Sequence, residues 1–167
     1  IAYPGGAELE RRARGGNDEA FAFPRAFPGR KDRKFSFSGL KTSLLYAIEK
    51  MSEEEIEDRY ADLCASYQSA AIDQLVSKTG QLLEAGDFKS IGLSGGVANN
   101  QVLRAAMKKL SDKHGILFLA AEPVHTGDNA AMIAFASHAD PFGFKPGDAE
   151  GLTFHPSMTL NQAGFSF

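Results

Sequence analysis

The sequence predicts an α/β protein in which a parallel sheet is covered by helices. Two observations carry this expectation. First, strand-like and helical stretches alternate: an apolar run at 90–93, a helix at about 98–113, a second apolar run at 116–120, and a small-residue helix from Asp128 or Asn129 to His138. That order suits parallel strands joined by crossover helices. Second, Ser94-Gly95-Gly96 joins the first strand to its helix. Glycines there let the backbone come close to a phosphate or a flat base, and the helix that follows offers free N–H groups. The same glycines also suit a tight turn with no ligand.

The remaining elements follow in chain order. Tyr3-Pro4-Gly5-Gly6 reads as a turn, and Ala7–Arg14 as a short helix with Leu9 and Ala13 on one face. Phe21, Phe23 and Phe27 alternate with small or polar residues, as in a short strand or extended loop, while Pro24 and Pro28 argue against a central strand. Arg25, Arg30, Lys31, Arg33 and Lys34 form a basic loop. Phe27 and Phe35 flank this loop and read as core rather than as stacking platforms. A helix over Gly39–Lys50 carries Leu40, Leu44, Leu45 and Ile48 at helical spacing. Ser52 and Glu55 make a capping-box pattern that opens a long helix over 53–85, with a bend expected at Thr79-Gly80. A loop from Ala121 to Gly127 leads to Asp128. The tail, 139–167, is rich in Gly and Pro, with one extended segment expected at Phe154–Leu160.

A chain of 167 residues, 43% hydrophobic and 23% charged, is large enough for one ordinary core. No apolar run is long enough to span a membrane and no signal peptide is visible, so no membrane partner is expected. The single cysteine, Cys64, excludes an internal disulfide, fits a reducing, cytoplasmic compartment, and reads as a small core residue. Net charge is −3 but unevenly spread: residues 1–50 hold ten Lys/Arg against six Asp/Glu, and residues 51–167 hold eight against fifteen. The first third can therefore face an anion, while the whole is not a general nucleic-acid binder; should the chain act on RNA, the basic loop from Arg25 to Lys34 is the candidate for contact with its backbone. Its alternative is a solvated loop. The chain opens on Ile1 and a Pro-Gly-Gly turn, from which we expect a piece of a larger protein.

In a parallel sheet, ligands gather at the C-terminal strand edge. Two strand ends point there, Ser94-Gly95-Gly96 and the segment Glu122 to Asn129. Asn100 can offer an amide to a ribose or base. Asp128, at a helix start, is either an N-cap or a hard oxygen ligand for a metal that also meets a phosphate. His125 is a weaker second ligand candidate, read by default as an exposed or hydrogen-bonded loop residue.

Four stretches together resemble the TsaD family of tRNA threonylcarbamoyladenosine transferases, which also carry the older name O-sialoglycoprotein endopeptidase or glycoprotease. Ser94-Gly95-Gly96-Val97-Ala98-Asn99-Asn100-x-x-Leu103-Arg104 resembles the family's Gly-Gly-Val-(Ala/Ser)-(Ala)-Asn-x-x-Leu-Arg. Tyr3-Pro4-Gly5-Gly6-x-x-x-Glu10 resembles its Tyr-Pro-Gly-Gly segment, and Phe35-Ser36-Phe37-Ser38-Gly39-Leu40-Lys41-Thr42 matches another run without a change. Thr126-Gly127-Asp128-Asn129-Ala130-Ala131-Met132-Ile133-Ala134 resembles the fourth, in which the family has Cys-Thr where this chain has Thr126-Gly127.

The resemblance implies the C-terminal lobe of an actin-like ATPase (ribonuclease-H-like) fold, incomplete, with residues 1–138 in that lobe and 139–167 a tail packing on it. It implies transfer of a threonylcarbamoyl group from threonylcarbamoyl-AMP to an adenosine next to the tRNA anticodon. Gly6, Glu10, Gly95, Gly96 and Asn100 fall on the family's adenylate- or nucleotide-binding positions, and Asp128 on its metal-binding Asp. Read from the residues alone, Gly6 is only a turn residue and Glu10 a solvated helix carboxylate. A divalent ion (iron or zinc), threonylcarbamoyl-AMP or ATP, tRNA and accessory proteins are implied as partners. The implied missing strands leave an apolar sheet edge or face and a tendency to self-associate. Lys41 either meets a phosphate or lies across apolar surface. The rival readings are a metalloprotease, for which no His-Glu-x-x-His is present, and a catalytically inactive nucleotide-binding lobe.

Overall fold

Helix formation starts earlier than the sequence pattern suggests. In the computed structural model, which describes residues 5–27 and 34–127, the first helix (α1) runs Gly5–Ala13, so Gly5 and Gly6 are helical rather than part of a turn. Leu9 and Ala13 lie one turn apart and pack with Cys64, Ala65 and Tyr60. Glu8 accepts hydrogen bonds from both Arg11 and Arg12 on the outer face, and the Arg12 guanidinium lies 5.0 Å from the centre of the Tyr60 ring. The chain then crosses the next partner closely: a Cβ on Gly16 would meet the Ala61 carbonyl oxygen at 2.2 Å. Only glycine fits that crossing.

The phenylalanine-rich segment that follows forms no strand. It is held by side chains of a long helix instead. The Asn17 N–H donates to Asp62, Ser66 accepts from the Phe21 N–H and donates to the Asn17 carbonyl, and Gln74 accepts from the Ala26 N–H. This satisfies backbone groups that a sheet would otherwise pair. Phe23, Leu40, Leu63 and Ala70 form the buried cluster beneath it.

The second helix (α2) is Ser38–Glu49. Leu40 is buried and Leu44 partly so, but Leu45 and Ile48, expected inside, are exposed. Phe27 and Phe35 are also exposed, at 39% and 49%, which corrects their reading as core. Phe35 stacks instead on Phe37 at the surface.

The capping box forms as expected: Ser52 accepts from the Glu55 N–H and Glu55 accepts from the Ser52 N–H, opening α3 at Glu53–Asp58. The expected single helix over 53–85 is divided at Arg59, and α4, Tyr60–Ala85, continues unbroken past Thr79-Gly80. Arg59 turns aside to place its guanidinium 4.1 Å from the Phe21 ring centre, a contact no local pattern announces.

After α4 comes a βαβ unit. The strands β1, Ser90–Leu93, and β2, Leu117–Ala120, pair in parallel with Ser90 opposite Leu117 and Leu93 opposite Ala120. Between them lies α5, Gln101–His114. One sheet face packs on the helices: Ile72, Ile91, Leu103, Met107 and Leu110 form the main core. Leu103 is 1% exposed, and burial of such a side chain contributes ~1.5–3 kcal/mol. The other face carries Leu117 and Leu119 into solvent. The architecture is α/β, and among the described residues no helix is long and apolar enough to cross a membrane.

The described residues lie in one compact unit, 1–127. The helix expected from Asp128 or Asn129 to His138, the boundary at 138, the tail 139–167 and its segment Phe154–Leu160 fall outside the described residues, as do Arg30, Lys31 and Arg33 of the basic loop.

Candidate nucleotide site at the glycine turn

The chain leaves β1 through Ser94 and adopts φ +85°, ψ 171° at Gly95, a region that essentially only glycine enters. A 3-10 turn, Gly96–Asn99, follows, closed by the Ala98 N–H on the Gly95 carbonyl. The helix expected from residue 98 therefore starts at Gln101, and Asn100 is its N-cap rather than a first-turn residue. A Cβ placed on Gly95 or Gly96 meets nothing within 4 Å. The turn thus borders open space on the side where a ligand would approach.

Two further expected residues, Asn100 and Glu10, meet beside the turn. The Asn100 Oδ1 accepts from the Leu103 N–H at 2.9 Å, and its Nδ2 donates to Gln68 Oε1 of α4 at 2.8 Å. Glu10 Oε1, from the last turn of α1, accepts from the Gln101 N–H at 2.9 Å. The first turn of α5 therefore already holds a carboxylate, which its dipole favours. The helix N–H groups that the sequence offered to a phosphate are in part taken, which leaves the Gly95-Gly96 backbone as the open element. Gly6 is exposed on α1, one turn before Glu10 and on the same face.

The two strand ends are laced together. Arg104 of α5 donates from Nε to the Ala98 carbonyl and from Nη2 to the Ala121 carbonyl, and the Ala121 N–H reaches the Leu93 carbonyl at 2.9 Å. Asn99 Nδ2 donates to Thr126 Oγ1 at 2.6 Å, and Thr126 donates to the Pro123 carbonyl. Gln68, Arg104 and Thr126 were not picked out as site residues from sequence. Arg104 was the one with a signal, since it closes the glycine-turn motif one turn after Asn100.

Other expectations fare differently. His125 ends a short 3-10 turn, Pro123–His125, and is exposed. Lys41 is exposed on α2. Asp128 lies outside the described residues, and among those described no group of three His, Cys, Asp or Glu could hold a metal. Cys64 is buried, and burial pushes its thiol up, away from a reactive thiolate.

Residues 1–135 match the family model described as TsaD, tRNA N6-adenosine threonylcarbamoyltransferase. The chain is similar to proteins of that name from three bacteria. It is 43% identical over 138 residues to the one from Thermosipho melanesiensis, covering 83% of this chain and 41% of the relative. It is 42% identical over 142 residues to that of Chlorobium phaeobacteroides, covering 80% and 40%. The relative from Geotalea uraniireducens is 43% identical over 134 residues, covering 80% and 39%. The chain thus spans about two-fifths of the length of the curated relatives it matches. On these matches, and with the glycine turn, Asn100 and Glu10 gathered at one helix start, the chain belongs to the TsaD family.

Proposed function

We propose that this chain supplies the C-terminal lobe, of actin-like fold, in an enzyme that transfers a threonylcarbamoyl group from threonylcarbamoyl-AMP to the adenosine next to the tRNA anticodon. The N6 amine attacks the carbamoyl carbon. The new N–C bond forms as the C–O bond to the phosphate breaks, AMP leaves, and the amine gives up a proton. The observation that carries this reading is the meeting of Glu10 and Asn100 at the start of α5, beside the open Gly95-Gly96 turn.

In this role Gly95 and Gly96 let the backbone lie against the adenylate. Glu10 holds the helix start through Oε1 and keeps Oε2 for the ribose hydroxyls, and Gly6 leaves room on the same face of α1. Asn100 keeps a second lone pair on Oδ1 while it fixes the turn. We assign residues 1–138 to this lobe and 139–167 to a tail upon it. The remaining lobe, in the longer relatives, would close the cleft and supply the rest of the metal set. Asp128 is our metal ligand, and an iron or zinc ion there would act as a Lewis acid on phosphate or carbamoyl oxygens. tRNA and accessory proteins are the partners, in the cytoplasm, and the exposed Leu117 and Leu119 support self-association of the chain when isolated. The relatives carry the transferase name, so that reading is preferred to the endopeptidase and to an inactive nucleotide-binding lobe.

The test is threonylcarbamoyl transfer to tRNA by the full-length protein with its partner proteins, against Asp128→Ala and Gly96→Ala. Both variants should lose transfer. Undiminished transfer by Asp128→Ala would remove the metal role, and undiminished transfer by both would remove the site. The isolated chain should bind ATP weakly or not at all in calorimetry, because one wall of the cleft is elsewhere.

A further inference from the structure

A cavity of about 240 Å3 opens beside α4 and shares no residue with the glycine turn. Arg25, Phe27, Asp73, Gln74, Ser77 and Lys78 line it. Three features of its wall go beyond what packing needs. Gln74 is only 3% exposed; its Oε1 accepts from the Ala26 N–H, but its Nε2 is buried without a partner. Buried amide donors are rarely left unmet in native proteins. Phe27 has φ +50°, and among the described residues it alone combines a side chain with positive φ. A bulky residue takes that conformation only where its surroundings impose it, and such strain collects at ligand clamps. Its ring is exposed instead of packed. Finally, Arg25 and Lys78 bring two cations; Arg25 pairs with Asp73 at 2.6 Å, and the buried Lys78 donates to Gln81 Oε1.

An exposed aromatic ring, an unmet amide donor and cationic side chains in one cavity form the set used for an unpaired nucleotide. The base stacks on the ring, its edge is hydrogen-bonded, and the phosphate meets positive charge. Arg25 and Phe27 also open the basic segment that ends at Lys34. We propose that this cavity receives one unpaired nucleotide of the RNA substrate, its base stacked on Phe27 and hydrogen-bonded by Gln74. The proposal rests on the tRNA reading above and deepens it.

The test uses the full-length protein and two fluorescein-labelled probes, an anticodon stem-loop RNA and a blunt RNA duplex of equal length. Binding is read by anisotropy across a salt series, with transfer measured on the same preparation. Phe27→Asn tolerates positive φ but removes the ring. Gln74→Glu keeps the oxygen that holds the Ala26 N–H and removes the donor. Each should weaken stem-loop binding roughly ten-fold or more, with the salt slope and duplex affinity unchanged, and Phe27→Tyr should restore it. Wild-type affinity in both variants overturns the proposal; transfer by the wild-type protein then leaves the tRNA reading standing. Parallel loss of stem-loop and duplex affinity with a shallower salt slope also overturns it, since that marks a contact to phosphates alone. A wild-type protein that binds the stem-loop through Phe27 yet transfers nothing supports the cavity and overturns the reading of function.

Discussion

Glu10 and Gln101 are ninety-one positions apart in sequence and meet in space: the carboxylate accepts the backbone N–H at 2.9 Å and so caps α5 from α1. The charge–dipole part of such a contact contributes ~0.3–1 kcal/mol. Glu10→Ala should therefore lower the melting temperature by only a few degrees, on the order of 2–6 °C. If Oε2 holds the ribose, the same change should raise the KM for threonylcarbamoyl-AMP about ten-fold or more, as expected for loss of a charged hydrogen bond. A variant with reduced stability and unchanged KM would leave Glu10 a purely structural cap.

Asn100 separates capping from binding in another way. Its Oδ1 caps Leu103 and its Nδ2 occupies Gln68. Asn100→Ala removes both, at a cost of ~1 kcal/mol for the cap alone, and leaves Gln68 without its donor. Asn100→Asp keeps the cap acceptor and adds a charge that the helix start favours; it also loses the Nδ2 donor, so the Gln68 amide must turn its NH2 toward the new carboxylate. In urea unfolding the Asp variant should stay close to wild type while the Ala variant loses ~1–2 kcal/mol. Adenylate affinity should fall in both: the Ala variant lacks the amide, and the Asp variant sets a carboxylate beside the turn that repels phosphate. An Asp variant that binds the adenylate as wild type does would exclude Asn100 from the site.

Glu8 makes a pH prediction. Hydrogen bonds from Arg11, then Arg12, lower its carboxyl from the ordinary 4.5 to about 2. The folded value lies below the unfolded one, so the stabilisation is fully present above about 4.5 and is lost as pH falls through about 2. The group is partly exposed, so the effect is local to α1 and screened by salt. A carboxyl-carbon NMR titration should show Glu8 with a midpoint near 2 at low salt, moving up in molar salt; a midpoint near 4.5 at low salt would show that the arginines do not hold it.

The parts of this protein legible in sequence are those with local causes. The Ser52–Glu55 capping box, the two strands and the helix between them each carry their own signal within a few residues. What escaped depends on distant partners. Arg59, where the long helix divides, sets its guanidinium over the ring of Phe21, far away in sequence. The phenylalanine segment needs no strand because Asp62, Ser66 and Gln74, which read as ordinary polar helix positions, take its backbone groups. In the site, the glycine turn and Asn100 were visible, although the 3-10 turn moved Asn100 from the helix to its cap. Glu10 had no chemical signal of its own, only its place in a motif, because its partner is a backbone N–H on another helix.

Gly95 and Gly96 allow the sharpest separation of fold from function, because the two glycines are needed for different reasons. Gly95 sits at φ +85°, ψ 171°, where any side chain collides with its own backbone although the space around it is empty. Gly95→Ala should destabilise by ~1–3 kcal/mol, visible as a lower urea midpoint at unchanged slope. Gly96 begins the 3-10 turn, its φ is not in the positive range, and a Cβ there meets nothing within 4 Å. Gly96→Ala should accordingly leave the midpoint within about 0.5 kcal/mol of wild type. The added methyl enters the space assigned to the adenylate, so Gly96→Ala should weaken adenylate binding about ten-fold or more while the fold stands. If Gly96→Ala binds the adenylate as wild type does, the open side of the turn is not where the ligand lies, and the site must be sought elsewhere along the strand ends.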